Sequence, residues 1–485
     1  MAVTGEVSSS QERDELNNSV RFGRNTAALL TGRLVVALAG WAGTVLIARD
    51  LGTEKFGQFT LVFSLLGMLS IITDLGVGRV AVAALLDSDE DRELFAGTYI
   101  LLRTVLGGLG YVLAVLIALF GGFPSPVPLA VAIGGLVVVF ATPSHAYEIA
   151  FQVRDRLTPL AVAESLAKFG QFGLIVALVL RGGTLVWFVI PAVLNDLAIL
   201  AWKAPAAHRL IGFRYRIDLG IWWALLKEAV PLSLGAAFVT LYYRLDSVML
   251  SKLDDFEAVG AYGVAYKFVD LVHFVPLAVS VALLAPLTAA WPVNVNQFHQ
   301  RIDHSLRLLG LAAGAGLVGF WLFARETAVL LYGGDYDNVG LATSIVVSGE
   351  VLAFVSTVGI TALIAVNRHL WYPVITLTGL GLNIALNLWL IPSYSFEGAA
   401  VATLITEAVV LGLLWTRLQR IPGWRESRHV RTFWPLPFAV GAGLATGYGL
   451  EQVVHWIPAG MAAVGVYAGV AVALKLRPWT VAPSE

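Results

Sequence analysis

Residues 340–366 read GLATSIVVSGEVLAFVSTVGITALIAV, an apolar run with a single ionisable side chain, Glu350. A bilayer's hydrocarbon core is crossed by about 20 such residues in a helix, because in lipid every backbone polar group must be paired within its own segment. The stretch therefore reads as a transmembrane helix. Outward from it, apolar runs bounded by charged or Gly/Pro breaks predict thirteen more: 26–48, 57–78, 96–120, 127–147, 158–180, 184–202, 228–250, 258–281, 305–324, 370–392, 396–416, 433–450 and 456–474.

Composition agrees. The 485 residues are 58% hydrophobic and 13% charged, with a mean hydropathy of +0.77, whereas soluble domains carry about 25% charged residues. A net charge of −1 supplies no basic field for nucleic acid, and the absence of cysteine excludes disulfides, thiolate catalysis and Cys-ligated zinc. No metal site or cofactor is expected.

Cytoplasmic loops hold an excess of Lys and Arg. With the N-terminus inside, 22 of the 32 cations fall in inner loops, 5 in outer loops and 5 within spans. The inner set includes Lys203; the outer set is Arg49, Lys55, Arg181, Lys252 and Arg325. An even number of crossings with both termini cytosolic is expected, in the cytoplasmic (inner) membrane. The polar segment 1–25 lacks an apolar core and reads as a disordered cytosolic tail, not a signal peptide. The loops leave no room for an external domain, and no G-x-x-x-x-G-K-[ST] loop for ATP is present.

The chain echoes itself. Leu51-Gly52 through Phe56-Gly57-Gln58-Phe59 parallels Leu253 through Gly260-Ala261-Tyr262, and Val153-Arg154-Asp155-Arg156-Leu157 parallels Val366-Asn367-Arg368-His369-Leu370. Six spans separate each pair. Six is even, so the halves share one orientation, the parallel-repeat plan of several transporters. The expected architecture is all-α and polytopic, with about 14 helices: a tail 1–25, a six-helix bundle 26–202, a cytosolic linker 203–227, a second bundle 228–416, a basic loop 417–432, and helices 13–14 with a tail over 433–485.

Ionisable side chains at bilayer depth cost about 2.5–3.5 kcal/mol each, so they face a cavity or a partner. Candidates are Arg33, Asp74, Arg103, Glu164, Lys168, Asp196, Arg244, Asp246, Lys267, Asp270, His273, Glu350 and Glu407. Arg33 and Arg103 lie near the cytosolic end, Lys267 near the middle, Arg244 in the outer third. Bland readings stand beside the functional one. Glu164 with Lys168 and Lys267 with Asp270 have the spacing to neutralise themselves on one helix, and Arg33 and Arg103 have the length to snorkel. Arg244 and Asp246 are about 200° apart on a helix and cannot face the same partner. Asp270 and His273 share a face, as a proton-titrating pair would. Asp74, Asp246, Asp270 and His273 are the candidate coupling or cavity groups.

The residues resemble the Wzx-type polysaccharide-biosynthesis flippases, within the group that also holds lipid II flippases and MATE exporters. The signals are Leu51-Gly52 with Phe56-Gly57, Asp74-Leu75-Gly76 with Arg79, Tyr242-Tyr243-Arg244-Leu245-Asp246, and Gly260-x-Tyr262-x-x-Ala265-x-Lys267. Tyr332-Gly333 follows, then Asn387, Ile391-Pro392-Ser393-Tyr394, Gly398-Ala399-Ala400 and Ala402-Thr403. Ser395 departs from the pattern, which usually has glycine there.

The resemblance implies a transporter, not an enzyme, that flips polyprenyl-pyrophosphate-linked oligosaccharide from the inner to the outer leaflet by alternating access. Lipid-linked oligosaccharide, membrane lipids, a coupling ion (H+ or Na+) and polysaccharide polymerase machinery are the partners it brings. On that reading Arg33, Arg103, Arg244 and Lys267 face one cavity and engage the diphosphate, for which guanidinium forks are suited. A MATE-like exporter of cationic drugs, the rival, favours net carboxylates in its cavity.

Overall fold

The computed structural model describes residues 4–87, 91–154, 156–427, 429 and 435–474, with side chains from residue 36 onward except those of 86, 87, 232, 271, 274 and 369. Among these residues every regular element is helical. They are α1 (Thr4–Asp74), α2 (Val77–Asp87), α3 (Arg92–Phe120), α4 (Val127–Gly134), α5 (Leu136–Val153), α6 (Leu157–Val179), α7 (Leu185–Leu210) and α8 (Leu219–Leu253). There follow α9 (Phe256–Val272), α10 (Phe274–Ala290), α11 (Val295–Tyr332), α12 (Gly340–Ala365), α13 (Tyr372–Leu418), α14 (Pro435–Glu451) and α15 (Trp456–Ala473).

Several helices begin where a carboxylate or amide satisfies a free N–H of the first turn. Asp91 accepts from Leu94 N, Asp218 from Gly220 N and Ile221 N, Asp255 from Ala258 N, and Asn294 from Gln297 N. These caps fall in the polar breaks between the apolar runs.

Among the described residues ten helices are long and apolar enough to cross a membrane, eleven if Leu219–Pro231 and Ser233–Leu253, which meet at 65°, count as one. The expected fourteen spans are not resolved as fourteen helices, for a local reason. α1 is broken at Gly52 (φ 72°) and α13 at Ser395 (φ 53°), where the backbone leaves the helical region, so each comprises two helices joined at a one-residue kink, one for each of two expected spans. The helix over Pro435–Glu451 is only 17 residues long.

Two expected boundaries move. α1 is helical from Thr4, within the segment expected to be a disordered tail. No proline interrupts Thr4–Asp74, and extending an existing helix needs no new nucleus. The linker expected at 203–227 shrinks to the residues between α7 and α8, because Lys203 is held inside the protein and α7 continues past it. The basic loop 417–432 is partly described: Ile421 and Trp424 are buried against α11 and α13, while 428 and 430–432 lie outside the described residues.

The core falls into packed groups that position the site. One, drawn from α1, α3–α9 and α11–α13, joins the N- and C-terminal parts of the chain around Phe56, Tyr262 and Tyr336. A second joins α2, α3, α5, α6 and α7 to Leu225 and Ala229 at the start of α8. A third lies within α10–α13. The pair α14–α15 packs on α11, where Tyr467 Oη donates to the Gly310 and Leu311 carbonyls.

Candidate functional site

Two adjoining cavities run between the halves. The first, of 390 Å³, is bounded by α1, α5, α6, α7, α8 and α9 and carries Lys168, Asp196, Arg244, Lys267 and Asp270 on its wall. Three cations face two carboxylates there. The second, of 1130 Å³, carries Asp74, Arg79, Arg103, His145 and Glu148, and shares Phe63 and Val137 with the first.

Arg244 makes no ion pair among the described residues. Its side chain lies across α1 at Gly67, where an added Cβ would come within 3.2 Å of Nε, so the absence of a side chain there makes room for the guanidinium. Lys267 donates to Asp270 at 2.8 Å, the neutralising contact that their spacing allows. Both still line the cavity.

Arg103 is only 3% exposed and donates from Nη1 to Asp74 Oδ1 at 2.7 Å and to the Asp74 carbonyl at 3.0 Å. It therefore does not snorkel. It lines the larger cavity together with Asp74, and not the cavity of Arg244 and Lys267. The side chain of Arg33 lies outside the described residues.

Lys168 was paired with Glu164 by spacing, but the structure partners them differently. Glu164 and Glu148 both turn to Lys203, at 2.9 and 2.6 Å, and Lys203 is 1% exposed. Lys203, expected in a loop, is thus the buried tie between α5, α6 and α7. Lys168 is left to the cavity, where it donates to Gln171 at 2.8 Å. Lys168 and Asp196, named among the intramembrane charges but not among the candidate substrate-binding residues, both line the cavity.

Asp246 is fully buried in the second half and lines neither cavity, as its angle from Arg244 requires. It accepts from Tyr262 Oη at 2.5 Å, Thr403 Oγ1 at 2.7 Å and Asn387 Nδ2 at 2.7 Å. Four of the motif residues, Asp246, Tyr262, Asn387 and Thr403, are therefore one hydrogen-bonded cluster around one carboxylate. Glu407 is held likewise by Tyr242 and Tyr243, at 2.7 and 2.8 Å. His273 does not pair with Asp270, as expected from their shared face, but with Glu350 of α12. Asp270 is already taken by Lys267.

The end of the cavity nearest Gly57 is closed. Phe56 meets Tyr336 edge to face, Tyr336 Oη donates to the Ala48 carbonyl, and Arg49 donates to the Leu330 carbonyl. The larger cavity lies toward the opposite end, with Arg79.

The profile of the family described as polysaccharide biosynthesis protein matches residues 22–292, and that of MatE matches 231–389. The probable flippase AglR of Haloferax volcanii is 30% identical over 172 residues, covering 34% of this chain and 35% of AglR. The probable low-salt glycan biosynthesis flippase Agl15 of the same organism is 22% identical over 390 residues, covering 80% of this chain and 81% of Agl15. Lipid II flippase MurJ, in an inward closed conformation, shares the fold with a TM-score of 0.75 at 14% identity over 93% of this chain and 100% of its own. A MATE transporter of Vibrio cholerae does so at 0.55, with 14% identity, over 85% and 99%. These relatives are named as flippases and transporters, not as catalytic enzymes. With its apolar helices, its MurJ- and MATE-like fold and a profile match over more than half its length, the chain belongs to the polysaccharide biosynthesis protein family and is a multi-pass membrane transporter of the flippase group.

Proposed function

We propose that the protein flips a polyprenyl-pyrophosphate-linked oligosaccharide from the inner to the outer leaflet of the cytoplasmic membrane by alternating access. The observation that carries this reading is the charge of the smaller cavity. Lys168, Arg244 and Lys267 face two carboxylates at membrane depth, a balance that favours an anionic headgroup and disfavours the cationic cargo of a drug exporter. Arg244, unpaired among the described residues, supplies a fork matched to a diphosphate oxygen pair. The sugars occupy the larger cavity beside it, and the polyprenyl tail stays in lipid.

On this reading Arg79 marks the cytosolic end, both termini are cytosolic, and the chain crosses fourteen times. Residues 26–202 and 228–416 form the two rocking bundles, related by an approximate two-fold axis along the membrane normal. Arg33 and Arg103 meet the headgroup at entry, Arg244 and Lys267 hold it deeper, and an ion gradient drives the cycle. Downstream, polysaccharide polymerase machinery takes the product.

Reconstitution tests this. Vesicles holding the purified chain and a labelled polyprenyl-pyrophosphate oligosaccharide should show the label becoming accessible in the opposite leaflet. A chain that moves a cationic dye and not the labelled lipid belongs with the exporters instead.

A further inference from the structure

Glu350 sits in the apolar middle of α12, 2% exposed. One of its oxygens shares a hydrogen bond with His273 Nδ1 at 2.6 Å, the donor depending on where the proton sits; the other, Oε2, is buried and has no hydrogen-bond partner among the described residues. A bare carboxylate in such a place is costly unless it is paired or protonated. His273 differs from Glu350 in access. Its side chain is 49% exposed, and it stands at the single-residue junction of α9 and α10, one turn beyond the cavity residue Asp270.

We infer that Glu350 and His273 form a binding site for one coupling proton, a reading that rests on the transporter function only in giving that proton a gradient to run down. The proton balance is simple. Imidazolium with carboxylate and neutral imidazole with carboxylic acid are the same pair with one proton placed differently, and both have zero net charge. Removing that proton leaves a buried negative charge; adding a second leaves a positive one. The pair therefore binds and releases one proton as a unit, with His273 as the exchanging side.

The surroundings sharpen this. Asp270 and Lys267 on α9 neutralise each other, and Glu407 on α13 is engaged by Tyr242 and Tyr243 of α8. Arg244 on α8 faces the cavity. Of the ionisable groups that reach the pair, none gives Glu350 a second donor. Because one member lies at the α9–α10 junction and the other on α12, any rearrangement that parts these helices exposes the carboxylate, and proton occupancy is linked to conformation.

The test is pH-difference infrared spectroscopy on the full chain in lipid nanodiscs, without substrate, beside a flipping assay under an imposed pH gradient. The expected result is a carboxylic-acid C=O band that titrates in the parent, is lost in Glu350→Gln and moves its midpoint in His273→Asn. In the second assay, gradient-dependent acceleration should be lost in Glu350→Gln. A titrating band unchanged by Glu350→Gln, or gradient dependence retained in that variant, overturns the inference. A parent that shows the Glu350 band but moves no lipid-linked oligosaccharide sinks the substrate reading and leaves the proton site standing.

Discussion

Gly57 and Gly260 lie backbone to backbone where α1 crosses α9. A Cβ on Gly57 would come within 1.8 Å of the Phe256 carbonyl oxygen, and one on Gly260 within 2.1 Å of the Thr53 carbonyl oxygen. These are the two positions that the internal echo pairs, and they meet at the closed end of the cavity. No side chain larger than hydrogen fits while that end is shut.

A wedge there should therefore open it. Overpacking costs about 1–3 kcal/mol, enough to shift a two-state balance roughly 5- to 150-fold. In Gly57→Leu, a cysteine placed at Ser64 on the cavity wall should react with an impermeant maleimide from the Gly57 side at least about 5-fold faster than in the Gly57 background. An unchanged rate would mean that the glycine pair is not the seal.

Removing the Lys203 side chain takes the shared, buried cation away from Glu148 and Glu164, which are themselves 23% and 40% exposed. Losing the hydrogen bonds of these part-exposed carboxylates costs about 1–3 kcal/mol, so Lys203→Ala should lower Tm more than any single alanine substitution of Arg79 or Arg154. Equal Tm values would show the triad to be solvated.

Around Asp246, Thr403→Val removes a donor while keeping the shape of the side chain. A buried polar group left short of a partner costs about 1–3 kcal/mol. Thermal melting should show that loss in Thr403→Val, and a larger one in Asp246→Ala, which strands the Tyr262 hydroxyl and the Asn387 amide together.

Ser395 holds φ 53° and ψ −140°, a region open to glycine and costing other residues about 1–3 kcal/mol. Ser395→Gly should therefore raise Tm without altering transport. A fall in Tm would mean that the serine side chain holds the bend.

The sequence was most legible where one helix decides the matter. The run at 340–366 became α12 nearly to the residue, and Arg244 and Asp246 diverged as their angular separation demands. The departure at Ser395 marked a real turn. Partners on different helices were not legible. Lys203 and Glu164, or His273 and Glu350, lie far apart in sequence, and which carboxylate a cation meets depends on which helices become neighbours. Spacing on one helix could propose Glu164 for Lys168 and Asp270 for His273, but it could not weigh them against rivals across the bundle. The number of crossings blurred for another reason: where the chain passes from one helix to the next at a single residue, Gly52 or Ser395, no loop separates the two spans.

The claim that an anionic headgroup is held in the cavity rests most on Arg244, and the decisive measurement is the initial flipping rate of labelled polyprenyl-pyrophosphate oligosaccharide in vesicles at matched protein content. Arg244→Ala should abolish flipping with Tm unchanged, and Arg244→Lys should retain part of it, because the charge survives but the bidentate fork does not. Arg244→Ala vesicles that flip at the parent's rate would contradict the account.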